Sequence, residues 1–517
     1  MDLISIDSVL YLLLFITFTF LFNHFTQNPQ NTPNTGPLTS YPLIGILPQF
    51  LRHRHRLLDW ITDILLSTPT HTVGIVRPGN IKGILTANPS NVEHILKTNF
   101  DNYPKGPRFA SLLGDFLGDG IFNSDGDLWR SQRKTASFEF NTRSLRGFVV
   151  SNVSDEVARR LLPALARAAE RREVVDLQDL LERFAFDNVC RVAFGEDPAC
   201  LSEERSAASA EFAKAFEDAA NLSAGRFRYA IPIMWRVKKA LHVGSERRLA
   251  EAIRIVHDFA TRIIKTRKQE NSASPDADLL SRFIASGVDS EELLRDIVIS
   301  FILAGRETTS STLTWFFWLL AHNPRVERAI LDELAPIRAK RAQPGEEEAY
   351  AFEELREMQY LHAAISEAMR LYPPVPANSN SSQRDDVLPD GTFVGEGWFV
   401  SYNAYAMGRM ESIWGKDCLD YRPERWLGEE DGVFKGENPF KYPVFHAGPR
   451  TCLGKEMAYI QMKSIAACVI ERFVIDVVAE MGAPSPPPPP QQMFSLTLRM
   501  KGGLRVRVRE RCTGGID

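Results

Sequence analysis

The chain lacks the marks of several protein classes. Its six cysteines, Cys190, Cys200, Cys418, Cys452, Cys468 and Cys512, include no C-x-x-C pair, so a zinc ribbon or a thioredoxin-type motif is excluded. Scattered over 517 residues, they do not form a disulfide framework, which suits a reducing compartment. Neither sign of charge is in excess. Against 65 Asp and Glu there are 61 Lys and Arg, a formal net charge of −4, which leaves no nucleic-acid footprint. Internal repeats are absent, and no linker divides residues 51–517. What remains is an ordinary globular composition, 44% hydrophobic and 24% charged, with material for a large core.

The N-terminus differs in kind. Val9 to Phe22 is an unbroken apolar run with two threonines. Extended back to Leu3 it makes 20 residues with one charge, Asp7, just enough to cross a bilayer as a helix. No A-x-A-like cleavage site follows, so residues 1–26 read as an uncleaved membrane anchor. Residues 27–50 carry Pro29, Pro33, Pro37, Pro42 and Pro48 and read as a stiff, extended hinge. The basic cluster Arg52 to Arg56 follows, and a basic flank marks the cytoplasmic side. Residues 51–517 read as one large domain.

In that domain, residues 70–86 alternate around Pro-Gly and Lys-Gly breaks and predict a short antiparallel sheet. Long helical patterns follow over 152–172, 176–194, 206–219, 244–268 and 290–321. Asp390-Gly391 and Gly502-Gly503 predict further hairpins, the last pairing 494–500 with 504–508. The fold class is mainly α with small β-sheets (α+β).

Chemistry concentrates in Phe445-His446-Ala447-Gly448-Pro449-Arg450-Thr451-Cys452-Leu453-Gly454, just before an apolar helical run, 457–473. Gly448 and Gly454 permit turns that a Cβ resists, and bring main-chain N–H groups toward the sulfur, as around metal-bound ligands. A thiolate is the metal-binding form of cysteine. The competing reading is a buried structural cysteine, the commoner fate of a lone one.

Three other stretches stand out. The helix over 290–321 begins at a capping-box pattern, Asp289 with Glu292. At its middle lies Ala304-Gly305-Arg306-Glu307-Thr308-Thr309-Ser310-Ser311-Thr312. Mid-helix Gly costs about 1 kcal/mol relative to Ala, and hydroxyl side chains compete for carbonyls. A buried helix weakened there makes room for something flat or reactive. Ala304 and Thr308 share a face, and Glu307 beside them offers an acid–hydroxyl proton relay. The alternative is a small-residue helix crossing with a surface Glu. Next, Glu367 and Arg370, three apart, form an ion pair on one turn of an otherwise apolar helix. Finally, Trp129 and Arg133, four apart, present an indole N–H and a guanidinium that suit a carboxylate; a surface basic helix is the plainer reading.

In order, these pieces read W-x-x-x-R, (A/G)-G-x-(D/E)-T-T, E-x-x-R, P-E-R-W (Pro423 to Trp426) and F-x-x-G-x-R-x-C-x-G. The set resembles the membrane-anchored cytochrome P-450 superfamily of haem-thiolate monooxygenases, from end to end of the chain. The resemblance implies heme b, with Cys452 as axial ligand of the iron, in a catalytic domain over 51–517. Trp129, Arg133 and Arg450 would hold the propionates, and Phe445 would pack by the cysteine loop. Ala304 would lie against the haem, while Thr308 with Glu307 supplies protons for oxygen activation. Glu367, Arg370 and Arg425 would form a structural ion-pair triad. It further implies O2, electrons from NADPH through a cytochrome reductase, and an endoplasmic-reticulum membrane location with the catalytic domain cytoplasmic. The reductase would dock near Arg130, Lys134 and Lys455.

Thr86 to Val92, His94 to Phe100, Gly120 to Asn123, Phe301 to Arg306 and Tyr405 to Met410 are similar to the plant fatty-acid omega-hydroxylase family. Its relatives oxidise jasmonoyl-isoleucine and, in some lineages, steroid side chains. Attack at the terminal carbon of an aliphatic chain is implied. Val375, Asn378, Asn380 and Phe494 would line the substrate pocket. Relatives commonly carry Asp-Ser-Lys where this chain has Asn378-Ser379-Asn380. Without that lysine a less acidic substrate, such as a sterol, is expected, although Arg108, Arg226 and Arg228 could still meet a carboxylate. Other readings are a jasmonoyl-amino-acid hydroxylase, a haem-thiolate isomerase or dehydratase, and a non-catalytic haem-binding protein. The intact Glu307-Thr308 pair favours the monooxygenase.

Overall fold

The computed structural model describes residues 33–138, 140, 150–202, 206–269, 278–340, 349–478 and 489–511. The expected anchor and the start of the hinge lie outside them. Among the described residues no helix is long and apolar enough to cross a membrane.

A mostly helical body carries small sheets, as expected. The 70–86 hairpin forms from Thr72–Arg77 and Ile81–Thr86. Phe399–Tyr402 joins it in parallel, and Asn378–Ser381 completes an antiparallel edge. Residues 33–50, expected within a stiff, extended hinge, dock on this sheet. Gly74 N–H donates to Asn34 O and Ile46 N–H to Val76 O, and the Leu47–His53 helix crosses the expected boundary at residue 50.

The last expected hairpin pairs differently. Leu498–Met500 pairs with Gln492–Phe494, whereas Arg505–Glu510 joins Val174–Asp176 and Phe473–Val477. The reason lies in what each strand buries. Leu498, Arg499 and Met500 are all buried, and Leu498 O accepts from Ser311 Oγ at 2.7 Å and Trp315 Nε1 at 3.0 Å. Gly502 and Gly503, at φ 83° and 76°, turn the chain away. Val506 and Val508 then face inward while Arg505, Arg507 and Arg509 face out.

Glu291–Ala321 is the central helix, 31 residues long and therefore roughly 46 Å. Its cap is Ser290, whose Oγ accepts from Leu293 N–H at 3.2 Å, rather than Asp289. At 1.5 Å from each other along the axis the two positions are hard to separate by pattern alone. The hydroxyls of Thr308, Ser310, Thr312 and Thr314 each donate to the carbonyl four residues back, and the helix stays continuous. A Cβ on Gly305 would sit 2.5 Å from Val189 Cγ2, so the glycine lets the Leu177–Phe194 helix cross closely. Trp315 stacks on Tyr372 at 4.1 Å with 1° between planes. Such a pair adds about 1 kcal/mol beyond burial and fixes the central helix against the end of the Gln359–Leu371 helix.

Candidate active site

A cavity of about 370 Å³ lies between the central helix and the cysteine loop. Phe109, Leu113, Leu117, Val189, Phe301 and Leu496 give it apolar walls, and Ala304, Gly305 and Thr308 line it from the central helix. Trp129, Arg133, Phe445, His446, Arg450 and Cys452 close its other side. Segments more than 300 residues apart in sequence therefore meet at one space.

Gly448 carries the turn of the cysteine loop at φ 64°, where a Cβ would lie 2.0 Å from Leu96 O. Gly454 has φ −88°, a conformation any residue adopts, so its part in the turn differs from the sequence expectation. Its N–H approaches the sulfur, which is the other part of that expectation. Cys452 N–H donates to Phe445 O at 2.8 Å, and the side chain's exposure is to the cavity. Burial pushes the thiol up, opposed by the Gly454 N–H, Arg133 and Lys455.

Cations gather on one wall. Arg450 lies over the Trp129 ring at 4.4 Å and Arg133 at 5.9 Å. Arg133 Nη2 donates to Thr451 O at 2.5 Å, and Arg450 Nη2 pairs with Asp125 at 2.7 Å. Asp125 also accepts from the backbone N–H groups of Lys105 and Gly106, both at 2.9 Å. Lys105, which the motifs did not reveal, lines the same cavity. Burial, then Arg450, pulls its amine down to about 7. Arg450 falls to about 10 through burial, and His446 to about 3 through burial and then Lys105.

Thr308 faces the cavity and Glu307 does not. The Glu307 carboxylate turns into the protein, pairing with Arg306. Its other oxygen accepts from Thr497 Oγ1 at 3.3 Å, and Thr497 does line the cavity. Any direct relay from Glu307 to Thr308 is thus replaced, in this conformation, by a contact that sequence spacing could not reveal.

Glu367 and Arg370 are fully buried and bidentate, at 2.7 and 2.8 Å. Arg425 Nε reaches Glu367 at 3.3 Å, and Trp426 Nε1 donates to it at 2.9 Å. Arg370 also donates to the carbonyls of Gly408, Cys418 and Asp420. With its donors taken up, the buried pair is tolerable, and it fixes the loops around it.

Of the proposed substrate residues, Val375 and Asn378 line the cavity. Asn380 does not, so the sterol inference drawn from it loses its footing. The side chain of Phe494 lies outside the described residues.

A cysteine aimed into an apolar cavity crossed by a long helix is an arrangement that suits a flat, metal-bearing cofactor. The cytochrome P450 family model matches residues 35–502, and the chain belongs to that family. It is 51% identical to cytochrome P450 CYP94D108 of Paris polyphylla, over 93% of this chain and 94% of that protein. Cytochrome P450 94A1 of Vicia sativa is 46% identical, covering 91% and 90%, and cytochrome P450 94B1 of Arabidopsis thaliana 47%, covering 97% of each. The family brings a haem iron, dioxygen and electrons from a reductase partner, and it defines the chain as a monooxygenase.

The residues present fit that group. Among the described residues, Lys105, Arg133 and Arg450 share the wall with a single carboxylate on them, Asp125, and Arg450 Nε and His446 Nε2 have no hydrogen-bond partner. Crowded cations and orphaned nitrogens suit an arriving anion. The apolar walls suit a macrocycle, and the thiol suits its iron.

Proposed function

We propose that the protein hydroxylates the terminal carbon of an aliphatic chain on a lipid, with Cys452 as axial haem ligand. The carrying observation is the apolar cavity that ends at Cys452 and Thr308. Arg133, Arg450 and Lys105 would hold the haem carboxylates, and Trp129 and Phe445 would pack beside the ring. The bound haem supplies oxygen activation and C–H hydroxylation, which thiolate ligation favours. Ala304 and Gly305 leave room over its face. Thr308 Oγ1, which donates to Ala304 O at 2.7 Å, can hold a proton at the cavity wall. Phe109, Leu113 and Phe301 would align the chain and keep water out.

A carboxylate at the far end of that chain, rather than a neutral sterol, is the reading supported by Arg108, which adjoins the cavity without lining it. Arg108 follows Lys105 and precedes Phe109, both cavity-lining. Its guanidinium lies 4.6 Å above the Phe399 ring, with no carboxylate partner among the described residues. Burial, then the charge of Arg108, lowers neighbouring Arg77 to about 10. Arg226, by contrast, is committed to Asp115 and Glu246. In this reading residues 1–26 anchor the protein in the endoplasmic-reticulum membrane, and residues 51–517 form one cytoplasmic domain fed by an NADPH–cytochrome reductase.

Spin-state titration of the holoprotein with long-chain fatty acids, jasmonoyl-amino acids and hydroxylated sterols tests the substrate reading. Fatty acids are expected to shift the spectrum and yield omega-hydroxy products with NADPH and reductase. A response to sterols alone would overturn it, as would oxygen-independent rearrangement of lipid peroxides.

A further inference from the structure

Beside the cavity runs a chain of alternating charges. Glu307 pairs with Arg306, whose Nη2 meets Glu182 Oε2 at 3.0 Å. Glu182 Oε1 meets Arg499 Nη2 at 2.5 Å, and Arg499 pairs with Glu217. Side-chain exposure is 3% at Glu307, 6% at Glu182 and 39% at Glu217, so the row climbs from behind the cavity wall to solvent. The helices Leu177–Phe194, Ala207–Gly225 and Glu291–Ala321 and the 492–500 hairpin each contribute to it. The hairpin is pinned to the central helix through Leu498 O, with Leu498 N–H donating to Pro374 O at 2.8 Å. Thr497 is thereby held with its hydroxyl on Glu307 and its side chain on the cavity.

We propose that this row is the proton inlet of the monooxygenase, with Thr497 passing protons between Glu307 and the cavity. The inference rests on the haem-thiolate reading and deepens it. The overall reaction, RH + O2 + 2 e⁻ + 2 H⁺ giving ROH + H2O, takes its electrons from the reductase and its protons from solvent. Glu217 meets solvent, and Glu182 and Glu307 pass protons inward through intervening water. Arg306 and Arg499, which keep their charge, hold the carboxylates in line. Thr497 Oγ1 gives a proton to the cavity and regains one from Glu307.

Charge balance permits a stored proton. Three carboxylates share two guanidiniums, the third being Glu217 at the solvent end, so Glu182 can be neutral while Arg306 stays paired with Glu307 and Arg499 with Glu217. Among the described residues, the charged groups that act most on Glu182 belong to this set: Arg306 and Glu307 from the central helix, Arg499 from the hairpin and Glu217 from the Ala207–Gly225 helix. Burial pushes Glu182 up to about 7, with Glu307 and Glu217 adding to the rise and both arginines opposing it.

Two measurements on the holoprotein test the inlet. Infrared difference spectra across neutral pH are expected to show a protonated carboxyl band that titrates and is lost in Glu182→Gln. Thr497→Val is expected to lower product formed per NADPH by about tenfold, with hydrogen peroxide rising, while Thr497→Ser restores coupling. The reduced carbon-monoxide spectrum should keep its thiolate-type Soret band in Thr497→Val. If that band is absent from the unsubstituted protein, the haem-thiolate reading fails. If it is present but coupling in Thr497→Val is unchanged, or no carboxyl band depends on Glu182, the inlet is wrong.

Discussion

Asn380 Nδ2 donates to the Tyr103 carbonyl at 2.6 Å, which draws this side chain off the cavity wall. Asn380 is 2% exposed, so a lysine there would be an unpaired cation in a closed space. Burying an unpaired charge is costly, and breaking such a site typically destabilises by about 3–5 kcal/mol. Asn380→Lys is therefore expected to lower the melting temperature without changing the preference for fatty acids over sterols. Parallel thermal melts and spin-state titrations check both halves.

Gly305 and Val189 set the crossing of two helices. Gly305→Ala gains about 1 kcal/mol of helix propensity but places a methyl 2.5 Å from Val189 Cγ2. Overpacking costs about 1–3 kcal/mol, so the net change is expected to be destabilising by about 1 kcal/mol. Val189→Ala in the same chain should recover most of it. A double-mutant cycle by chemical denaturation reads the coupling.

The cysteine loop and the ion-pair helix were legible because their residues stand at fixed short spacings that local geometry enforces. What depends on rotation or distant pairing was not. On a helix of 3.6 residues per turn, Glu307 lies about 60° from Ala304 and about 100° from Thr308. That angle separates the cavity from the cage around Arg306. Gly502-Gly503 announced a turn but not its partner, since Val506 and Val508 fit a different sheet. Lys105 and Thr497 belong to no periodic pattern. They reach the site only through Asp125 and the pinned hairpin.

Glu367 pairs with Arg370 and shares Arg425 with Asp417, so its removal leaves buried Arg370 without a carboxylate among the described residues. Glu367→Gln is expected to cost about 3–5 kcal/mol and to reduce recovery of haem-loaded protein. Arg425→Met should cost less, because Arg425 is partly exposed and Asp417 shares it. Haem absorbance followed through thermal unfolding ranks the two; equal losses would contradict the ordering.

Glu182 also predicts a pH dependence of stability. Its folded pKa, raised by burial to about 7, exceeds the ordinary glutamate value of about 4.3. Between these values the native state holds more protons than the unfolded chain. Stability is therefore lost as pH rises through that window, and the loss is complete above about 7. Thermal melts of the holoprotein from acid to mildly alkaline pH should show Glu182→Gln losing less than the parent over this interval.

Lys134 and Lys455 are exposed, and Lys455 Nζ lies 5.9 Å from the centre of the Phe445 ring beside the cysteine loop. Arg130 on the same face already pairs with Asp127 at 2.9 Å and lies 3.7 Å from Asp101, so the lysines offer the less committed charge to an acidic reductase surface. Exposed charges act mainly on association rates and are screened by salt. Lys134→Gln with Lys455→Gln is expected to slow NADPH- and reductase-driven turnover about 10-fold at low salt. The difference should shrink at high salt, while turnover driven by peroxide stays at the parent level. Equal loss by both routes would place the defect at the haem site instead of the docking face.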